Sequence, residues 1–429
     1  MNNTVSVGIL GLGVVGAELV NIIKINHSNI LKNYGIDLQI KSIFVRDVKK
    51  TRTTDISGLN LTSNVHDVIN DPEIDIICEC IGGSGTELTK DYILSAINNN
   101  KSIVMSSKKT LAIYGKQILS LACKKNISFK YDATVGGGVP VAKILTNCFK
   151  GEKIEQIVGI LNATSNYIYT RMEKDNLSFE KALEKAQELG YAENNPSEDI
   201  NGYDALYKAV ILTLFSSKKW LDVNKLETTP FSSINMTDVK YAEELGYKIK
   251  PLAIIENQPN GITYKIGPCL IKENHIVENT QNNFNVIVFK GSNSGMLGFY
   301  GQGAGSLPTA SAMFDDIVGI LTSSNSSHYN TIDQLCSNIV EADNVSEYKN
   351  NLYLRINVEN KIGRLAFICS ILSKNSVNVE KIIQKDGSSG MMDIVFLTSS
   401  IESSTINEII NEFNVNGIKI HTLIPFLGE

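Results

Sequence analysis

The stretch "VSVGILGLGVVGAELV" (residues 5–20) constrains the fold more than any other part of the chain. Its apolar start predicts a β-strand, and Gly11, Gly13 and Gly16 follow at the opening of a predicted helix. Glycines at this G-x-G-x-x-G spacing permit a tight turn and let backbone N–H groups approach a pyrophosphate. The stretch therefore predicts a dinucleotide-binding loop formed by Gly11, Leu12, Gly13, Val14, Val15 and Gly16. A glycine-rich turn without a ligand is the alternative interpretation.

Short apolar runs alternate with amphipathic stretches over the first part of the chain. Predicted strands at "LQIKSIFVRD", "IDIICECIG" and "KSIVMSS" are separated by predicted helices such as "TELTKDYILSAINN". Strands that alternate with helices form parallel βαβ units. Residues 1–135 are therefore predicted to form an α/β domain with a Rossmann-type doubly wound sheet that binds NAD(P).

The pattern changes after residue 135. Strands of a second sheet are predicted at "KIEQIVGILNA", "YKIKPLAIIEN", "GITYKIGPCLI" and "FNVIVFKG", with helices between them, which indicates a mixed α+β domain over 136–330. The Ser/Asn-rich stretch "LTSSNSSHYNTIDQLCSN" predicts a linker region, which we place at 331–350. Residues 351–429 are predicted to form a small βαββαβ-type module of about the minimum size for an independent domain.

Charged residues after the second predicted strand bear on the choice of cofactor. The strand ends in "IFVRD", so that Arg46 precedes Asp47, and further basic residues follow. A cation at this place suits a 2′-phosphate, which favours NADP over NAD. A solvated basic loop is the alternative, and Asp47 could still hold a ribose hydroxyl, as NAD requires. In "CIGGSG", Ile81 and Gly82 are predicted near the nicotinamide ribose, unless these glycines form a plain turn.

The composition excludes some classes of partner. Forty basic and 45 acidic residues give a net charge of −5, so there is no basic excess of the kind that nucleic-acid binding requires. The sequence contains no apolar run of about 18 residues, so it predicts no membrane span. The start "MNNTVSVGILGLG" lacks the basic region of a signal peptide, which predicts a cytoplasmic protein. The seven cysteines are scattered, which predicts reduced thiols.

The stretch "EDINGYDALYKAVIL" (residues 198–212) places charge in an apolar helix. Asp204 and Lys208 stand four residues apart, on the same side of that helix. Burial lowers the pKa of a lysine, which suits proton transfer to or from a hydroxyl group near neutral pH. Lys108, in "VMSSKKTLA" at the end of a predicted strand of the first domain, is a second candidate. A surface lysine in an ion pair is the alternative for each.

Acidic residues surround the start of the same helix. Glu193, Asp199 and Asp204 could hold a substrate ammonium group and so orient a hydroxyl-bearing carbon toward the nicotinamide. Helix capping is the alternative, because Asp199 precedes an apolar helix.

Six segments occur in an order that resembles homoserine dehydrogenase, in its long bacterial form with a C-terminal ACT domain. They are "GLGVVG", "SSKKTLA", "YDATVGGGVPVAK", "GILNATSNYIYTRM", "GYAENNPSEDINGYDALYKAVIL" and "GQGAGSLPTASAMFDDI". The resemblance covers nearly the whole chain, and the segment around 190–212 is its most specific part. It implies an NAD(P)-dependent oxidoreductase that interconverts L-homoserine and L-aspartate 4-semialdehyde on the route to threonine and methionine.

The resemblance also implies roles for individual residues. Lys208 is implied in proton transfer at the hydroxyl or carbonyl group, and Lys108 is placed near both nicotinamide and substrate. Glu193 is implied to contact homoserine, with Asp199 and Asp204 around the same amino acid. Substrate binding therefore belongs to the second domain.

Further implied sites hold the cofactor and an ion. Gly303 belongs to a segment that closes back onto the cofactor, so that 300–325 return to the first domain. A monovalent cation, Na⁺, is implied at a site built largely from backbone carbonyl groups around Asp132, Val135, Gly137 and Val139. The family is at least dimeric through the sheet of the second domain, which implies a homodimer or homotetramer.

The sequence departs from the family pattern at several positions. Asp132 stands where Glu is usual, which bears on the cation site, and Ser106-Ser107 stand where Ala-Asn is usual, beside Lys108. The C-terminal module resembles a ferredoxin-like ACT domain. Its ligand loop "VENKIGRLAF" keeps Gly363 but has Asn360 at the usual acidic position. Threonine feedback through Asn360 and Gly363 is implied, and a purely dimerising module is the alternative.

Two other functions remain to be distinguished from this one. A non-catalytic sensor of NADP and an amino acid would keep the same folds. Retention of both lysines and all three carboxylates favours the enzyme. A semialdehyde dehydrogenase would need a nucleophilic cysteine, and none of the seven lies in an activating context.

Overall fold

The computed structural model describes residues 3–52, 54–83, 85–149, 151–259, 261–323, 339–342, 351–386 and 390–427. The strands are β1 Asn3–Leu10, β2 Ile36–Phe44, β3 Leu61–Thr62, β4 Ile76–Glu79, β5 Ser102–Met105, β6 Phe129–Lys130, β7 Ile154–Ile160, β8 Lys219–Trp220, β9 Tyr247–Gln258, β10 Gly261–Lys272, β11 Phe284–Gly291, β12 Gly295–Gln302, β13 Val340–Glu341, β14 Asn351–Glu359, β15 Val379–Asp386, β16 Met391–Thr398 and β17 Lys419–Leu427. The α-helices are α1 Val14–Tyr34, α2 His66–Ile69, α3 Thr86–Asn98, α4 Lys108–Lys124, α5 Val141–Asn147, α6 Ala163–Asp175, α7 Phe179–Glu188, α8 Ser197–Ile200, α9 Tyr203–Ser217, α10 Met236–Glu244, α11 Ser306–Ser323, α12 Arg364–Lys374 and α13 Ser403–Val415. Short 3₁₀-helices cover Asp132–Thr134, Val223–Lys225 and Phe231–Ser233.

The first sheet is parallel throughout. Its six strands lie in the order β3-β2-β1-β4-β5-β6, and β1 pairs with β2 on one side and β4 on the other. All four residues of β4 are buried, as expected for a strand covered on both faces by helices. The strand order reverses between β1 and β4, and ligands of such sheets bind in the crevice at this point. The prediction of a doubly wound α/β domain is confirmed.

Helix α11 packs against α1, although about 270 residues of sequence separate them. Met313 and Ile317 of α11 share one buried cluster with Leu19 and Ile23 of α1. The chain therefore completes the first domain only after it has built the second.

The second sheet is mixed and has nine strands in the order β12-β11-β7-β9-β10-β17-β14-β16-β15. Helices α6, α9 and α10 contact β9 in the middle of this sheet. All residues of α9 from Asp204 to Phe215 are buried, including the charged Asp204 and Lys208. Helix α4 of the first domain packs against α9, so that the two domains meet at this helix pair.

The C-terminal part has the element order β14-α12-β15-β16-α13-β17, which is the ferredoxin-like βαββαβ arrangement. Its sheet is not separate. Residues Leu270 and Ile271 of β10 pair in parallel with Phe426 and Leu427 of β17, which joins the module to the substrate domain. The predicted linker at 331–350 lies outside the described residues except for 339–342.

A buried ion pair reinforces this junction. The Arg355 Nε atom of β14 lies 2.7 Å from Asp238 Oδ1 of α10, and the two side chains are 4% and 0% exposed. The Tyr353 hydroxyl donates a hydrogen bond to the same oxygen at 3.1 Å. The carboxylate therefore has several donors to compensate its burial.

The cysteines differ in part from the sequence prediction. Cys78, Cys80, Cys148, Cys269 and Cys369 are free thiols. Cys123 is disulfide-bonded, so the prediction that the thiols are reduced is wrong for this residue. In the described ranges, no helix combines the length and apolar character that a membrane span requires.

Candidate active site

The glycine loop between β1 and α1 has the geometry that a bound pyrophosphate requires. Gly11 has a φ of +103°, and a Cβ atom there would lie 2.7 Å from the Cys80 carbonyl oxygen. A Cβ at Gly16 would lie 2.2 Å from the Gly11 carbonyl oxygen, whereas a Cβ at Gly13 would have no atom within 4 Å. Close packing thus leaves no space for a side chain at Gly11 or Gly16, whereas Gly13 borders open space. The loop therefore fits a dinucleotide cofactor at the N-terminus of α1.

The remaining residues of the loop flank this open space. Val14, the first residue of α1, is 77% exposed, and Leu12 and Val15 are partly buried. In the loop that follows the neighbouring strand β4, Ile81 is partly buried and Gly82 is exposed. These residues border the same edge of the sheet.

The loop after β2 presents basic side chains to solvent. Arg46, Lys49 and Lys50 are exposed. The Asp47 carboxylate accepts a hydrogen bond from the Lys49 backbone N–H at 2.8 Å and so belongs to its own turn. The Asp47 carbonyl oxygen accepts another from Arg52 Nη2 at 2.6 Å. This loop therefore favours an anionic group over a hydroxyl group at the end of β2.

Lys108 and Lys208 meet at a single carboxylate. The Lys108 Nζ atom lies 2.7 Å from Asp204 Oδ1, and the Lys208 Nζ atom lies 2.9 Å from Asp204 Oδ2. Lys208 also donates a hydrogen bond to the Leu161 carbonyl oxygen at 2.7 Å. Lys108 begins α4 of the first domain, whereas Asp204 and Lys208 lie on α9 of the second. The cluster is therefore assembled across the boundary between the domains.

The environment gives the two amines different acidities. The Asp204 carboxylate raises the pKa of Lys108, whose side chain is 39% exposed. Burial lowers the pKa of Lys208, and the positive charge of Lys108 lowers it further, while Asp204 acts in the opposite direction. Burial opposes ionisation of Asp204, but the two ammonium groups outweigh it and hold its pKa below the ordinary range. Lys208 is thus the amine that loses its proton more readily.

Asn162 organises the carboxylates around this cluster. Its Nδ2 atom donates to Asp199 Oδ1 at 2.6 Å and to Asp204 Oδ2 at 2.9 Å. Its Oδ1 atom accepts from the Ser165 backbone N–H, which caps α6. Burial raises the pKa of Asp199, and the nearby Asp204 charge adds to this effect. Sequence analysis missed Asn162, although its position before a helix in "LNATSN" is an N-cap signal.

The structure does not bring every predicted residue to this cluster. Glu193 is exposed, and among the described contacts its carboxylate meets neither lysine. Gly303 packs against Asn285, because a Cβ at Gly303 would lie 1.9 Å from the Asn285 side chain. Asn285 in turn donates to the Leu161 carbonyl oxygen that Lys208 also binds. Gly303 is therefore connected to the lysine cluster only indirectly, through Asn285 and the Leu161 carbonyl oxygen.

The predicted cation site centres on a buried carboxyl group. Asp132 is 3% exposed, and its Oδ1 atom accepts the Lys143 backbone N–H at 3.1 Å. The Lys143 ammonium lies 3.9 Å away. Burial raises the pKa of Asp132 to about 7, with a contribution from Asp316. Burial and the neighbouring Asp316 carboxyl group therefore both disfavour a negative charge on Asp132, and the Lys143 ammonium group partly offsets them.

The other members of that site are close-packed backbone positions. Val135 and Val139 are buried, and Gly137 has a φ of +57°. A Cβ at Gly137 would lie 2.9 Å from the Gln302 carbonyl oxygen. The described residues contain no group of three or more His, Cys, Asp and Glu side chains suited to a metal ion. Any cation here would therefore depend on backbone carbonyl groups besides Asp132.

The predicted regulatory loop lies in the C-terminal module. Gly363 has a φ of +82° and caps the N-terminus of α12. Asn360 donates through its backbone to the Gly390 carbonyl oxygen and through Nδ2 to Asp386. The loop is exposed, and Ile362 at its centre is fully accessible.

Two family models match the chain. The model described as "Homoserine dehydrogenase, NAD binding domain" matches residues 11–132. The model described as "Homoserine dehydrogenase" matches residues 140–318. The first match contains the glycine loop and Lys108, and the second contains Asp204 and Lys208.

Individual proteins resemble the chain over nearly its full length. A homoserine dehydrogenase from Bacillus subtilis is 31% identical, over 96% of this chain and 95% of that protein. The crystal structure of a homoserine dehydrogenase from Thiobacillus denitrificans has a TM-score of 0.91 at 32% identity, and covers 100% of this chain and 99% of that one. A homoserine dehydrogenase from S. aureus has a TM-score of 0.80 at 29% identity, with 100% and 99% covered.

Proposed function

The chain belongs to the homoserine dehydrogenase family, and we propose that the Lys108–Asp204–Lys208 cluster is its catalytic centre. As a member of this family it is an oxidoreductase with an NAD-binding domain, on the route to threonine and methionine. The enzyme is therefore preferred over a non-catalytic sensor. The observation that carries the proposal is the contact of two lysines, one from each domain, with one buried carboxylate.

The substrates are L-homoserine and L-aspartate 4-semialdehyde, which differ by two hydrogen atoms, one on the reacting carbon and one on its oxygen. Asp199 lies beside the cluster and supplies a negative charge for the substrate ammonium group. Glu193, at the exposed rim, supplies a second one. Holding the ammonium group at a distance from the hydroxyl group orients the reacting carbon toward the first domain.

Lys208 moves the proton of the reaction. Burial lowers its pKa, so that a neutral amine forms at a lower pH than for an ordinary lysine. In oxidation, the neutral amine takes the hydroxyl proton of homoserine. In the reverse direction, the ammonium group returns a proton to the carbonyl oxygen of the semialdehyde. A nicotinamide cofactor bound at the glycine loop would supply the hydride chemistry.

Lys108 keeps its proton through the reaction. The contact with Asp204 raises its pKa, so it remains an ammonium group over the working range of pH. A fixed positive charge beside the substrate oxygen stabilises the negative charge that develops there. Asp204 holds both amines at defined positions and makes their charges depend on each other.

NADP is the preferred cofactor, and NAD is the alternative. The support is the exposed basic loop after β2, led by Arg46, in which Asp47 is engaged in its own turn. Gly11, Gly13 and Gly16 would hold the pyrophosphate, and Ile81 and Gly82 would border the nicotinamide ribose. Gly303 would close onto the cofactor, as the family resemblance implies, from a position where it packs against Asn285.

A monovalent cation, Na⁺, is proposed beside Asp132, with Val135, Gly137 and Val139 as carbonyl donors. The support is the burial of the Asp132 carboxyl group and its raised pKa, which a cation would offset. This ion is proposed as a structural element of the loop that precedes α5, not as a reactant.

Threonine is the proposed effector of the C-terminal module, through the loop of Asn360 and Gly363. The ferredoxin-like arrangement and the left-handed backbone at Gly363 support this assignment to an ACT domain. Steady-state rates at increasing threonine concentration test it. Inhibition that Gly363→Val removes supports it, and rates independent of threonine contradict it.

We also propose a homodimer or homotetramer in the cytoplasm. Edge strand β12 of the second sheet exposes Met296 and Tyr300 by 55% and 59%, as a surface that a second copy covers would do. Light scattering with Tyr300→Asp tests the assembly. If Tyr300→Asp has the same molar mass in solution as the parent protein, β12 is not the interface.

The central experiment measures reduction of NAD and NADP in the presence of homoserine, followed by the absorbance of the reduced nicotinamide. Turnover with homoserine, and a preference for NADP, is expected. Turnover with neither cofactor at alkaline pH would contradict the catalytic assignment and favour the sensor.

A further inference from the structure

Glu79 is a fully buried acid to which the catalytic chemistry assigns no task. It is the last residue of β4 and is 0% exposed. Its Oε1 atom accepts the Ile81 backbone N–H at 2.6 Å, and its Oε2 atom accepts the Ser107 backbone N–H at 2.9 Å. The Ser106 backbone N–H lies 3.3 Å from Oε2. None of these described partners is an ammonium or guanidinium group.

The Ser107 hydroxyl group sits between two acceptors. Its Oγ atom lies 2.8 Å from Glu79 Oε1 and 2.9 Å from the Ile81 carbonyl oxygen. A hydroxyl group has one hydrogen atom and can donate to only one of them. A carbonyl oxygen has no hydrogen to donate. If Glu79 is ionised, one of the two short contacts is therefore between acceptors and is unfavourable.

One proton on Glu79 removes this conflict. A protonated Oε1 donates to Ser107 Oγ, and Ser107 then donates to the Ile81 carbonyl oxygen. Oε1 still accepts a hydrogen bond from the Ile81 backbone N–H, and Oε2 still accepts one from the Ser107 backbone N–H. Every polar atom in the group is then satisfied, which buried groups require.

We propose that Glu79 is held as a neutral carboxylic acid and is a positioning residue, which with Ser107 fixes the start of α4 against the loop after β4. Burial raises the pKa of Glu79, in agreement with this state. Among the described residues, the titratable groups that feel its charge are the thiols of Cys78, which precedes it on β4, and of Cys80, which follows the strand. Burial raises the pKa of both thiols.

The two segments that Glu79 joins both belong to the first domain and both border the proposed catalytic pocket. Ile81 leads into the loop assigned to the nicotinamide ribose, and Ser107 immediately precedes Lys108, which binds Asp204. A shift of the Ser107–Ile81 contact would therefore move the Lys108 ammonium relative to the cofactor. This consequence rests on the proposed role of Lys108, whereas the protonation of Glu79 does not.

Infrared difference spectroscopy tests the protonation directly, without substrate. The spectrum of the protein minus that of Glu79→Gln at neutral pH is expected to contain the carbonyl band of a protonated carboxylic acid. Only carboxylate bands in this difference would overturn the proposal. Circular dichroism establishes that the variant is folded.

Ser107→Asn gives a second test that keeps Glu79 in place. An amide has two N–H donors and can serve both the carboxylate and the Ile81 carbonyl oxygen. The acid band assigned to Glu79 is therefore expected to convert to carboxylate bands in this variant. Persistence of the acid band would contradict the hydrogen count on which the proposal depends.

Kinetics test the positioning role. Ser107→Ala removes the bridge and is expected to lower kcat by about 10- to 100-fold, since small misplacements near the chemistry have effects of this size. The unfolding midpoint and the KM for the cofactor should change little. Restoration of most of kcat in Ser107→Asn supports positioning, and an unchanged kcat in Ser107→Ala overturns it. A failure of the Lys208 assignment would leave the infrared result intact.

Discussion

Lys108 and Lys208 bind opposite oxygens of the Asp204 carboxylate, at 2.7 Å and 2.9 Å. The first lysine belongs to the cofactor domain and the second to the substrate domain. The same three residues therefore join the two domains and set the acidity of Lys208, the amine that we propose moves the proton. Substitutions at this cluster separate these tasks.

Substitution of Lys208 tests the proton-transfer role. Lys208→Ala is expected to lower kcat by about 10²- to 10⁴-fold, the usual contribution of a general acid or base. Binding of NADPH, measured by fluorescence titration, should stay within about twofold because the cofactor site lies in the other domain. Lys181→Ala, an exposed lysine of α7, is the matched control. Near-normal turnover of Lys208→Ala would contradict the assignment.

The pH profile depends on Asp204. Its negative charge raises the pKa of Lys208, so its removal allows burial to lower that pKa further. In Asp204→Asn, the rise of homoserine oxidation with pH is therefore expected about one pH unit or more lower, with a reduced maximum. Glu184→Gln, a change at an exposed carboxylate of α7, should leave the profile in place. If the rise of homoserine oxidation moved to higher pH in Asp204→Asn, Lys208 would not be the base.

Substitution of Arg46 tests the proposed preference for NADP over NAD. Arg46→Ala is expected to raise the KM for NADP by about 10- to 100-fold, since a charged contact to a phosphate is lost. The KM for NAD should change less than about twofold. Lys124→Ala removes the same charge at the far end of α4 and serves as control. Equal effects on both cofactors would show that the basic loop does not recognise the 2′-phosphate.

The stability of the protein as a function of pH and of Na⁺ tests the ion site proposed beside Asp132. The pKa of Asp132 in the folded chain, about 7, lies above its ordinary value, so the native state favours the protonated form. The stability it contributes is present below the ordinary pKa and is lost as the pH rises through about 7. Na⁺ is therefore expected to raise the unfolding midpoint more at about pH 8 than at about pH 6.

The control for this effect is Asp132→Asn, which cannot ionise. Thermal unfolding in Na⁺ and in a large organic cation should then show no such dependence on pH. An equal effect of Na⁺ on the parent and on Asp132→Asn would exclude the proposed ion site.

Asp238 stabilises the attachment of the C-terminal module. Asp238→Ala leaves the buried Arg355 guanidinium group without its partner, and we expect a loss of about 3–5 kcal/mol in the free energy of unfolding. Asp238→Leu combined with Arg355→Met removes both charges and should cost much less. Urea denaturation measures both variants. Equal losses would mean that the charges are not coupled.

Local sequence signals accounted for much of the fold and of the cluster. The glycine spacing and the alternation of strands and helices predicted the parallel sheet, which the structure confirms. The interval between Asp204 and Lys208 placed both on one side of a helix. These features depend on residues that are neighbours in sequence, and their periodicity is visible in one chain.

The remaining features depend on contacts between distant segments. Asn162 reaches Asp199 and Asp204, and Glu79 reaches Ser107, across intervals that no periodicity marks. The pairing of β10 with β17 depends on register between strands over 150 residues apart, which sequence pattern does not encode. Glu193 stood in a suggestive sequence context, yet it lies exposed.

The pairing of β10 with β17 has a consequence for any shortened form of the chain. Removal of the C-terminal segment would uncover the backbone N–H and C=O groups of Leu270 and Ile271, together with the apolar strand that carries them. An exposed strand edge of this kind can pair with strands of other chains and so promote aggregation. We therefore expect a truncated enzyme to precipitate before its kinetics could be measured, unless a charged residue or a proline were introduced to shield the exposed strand.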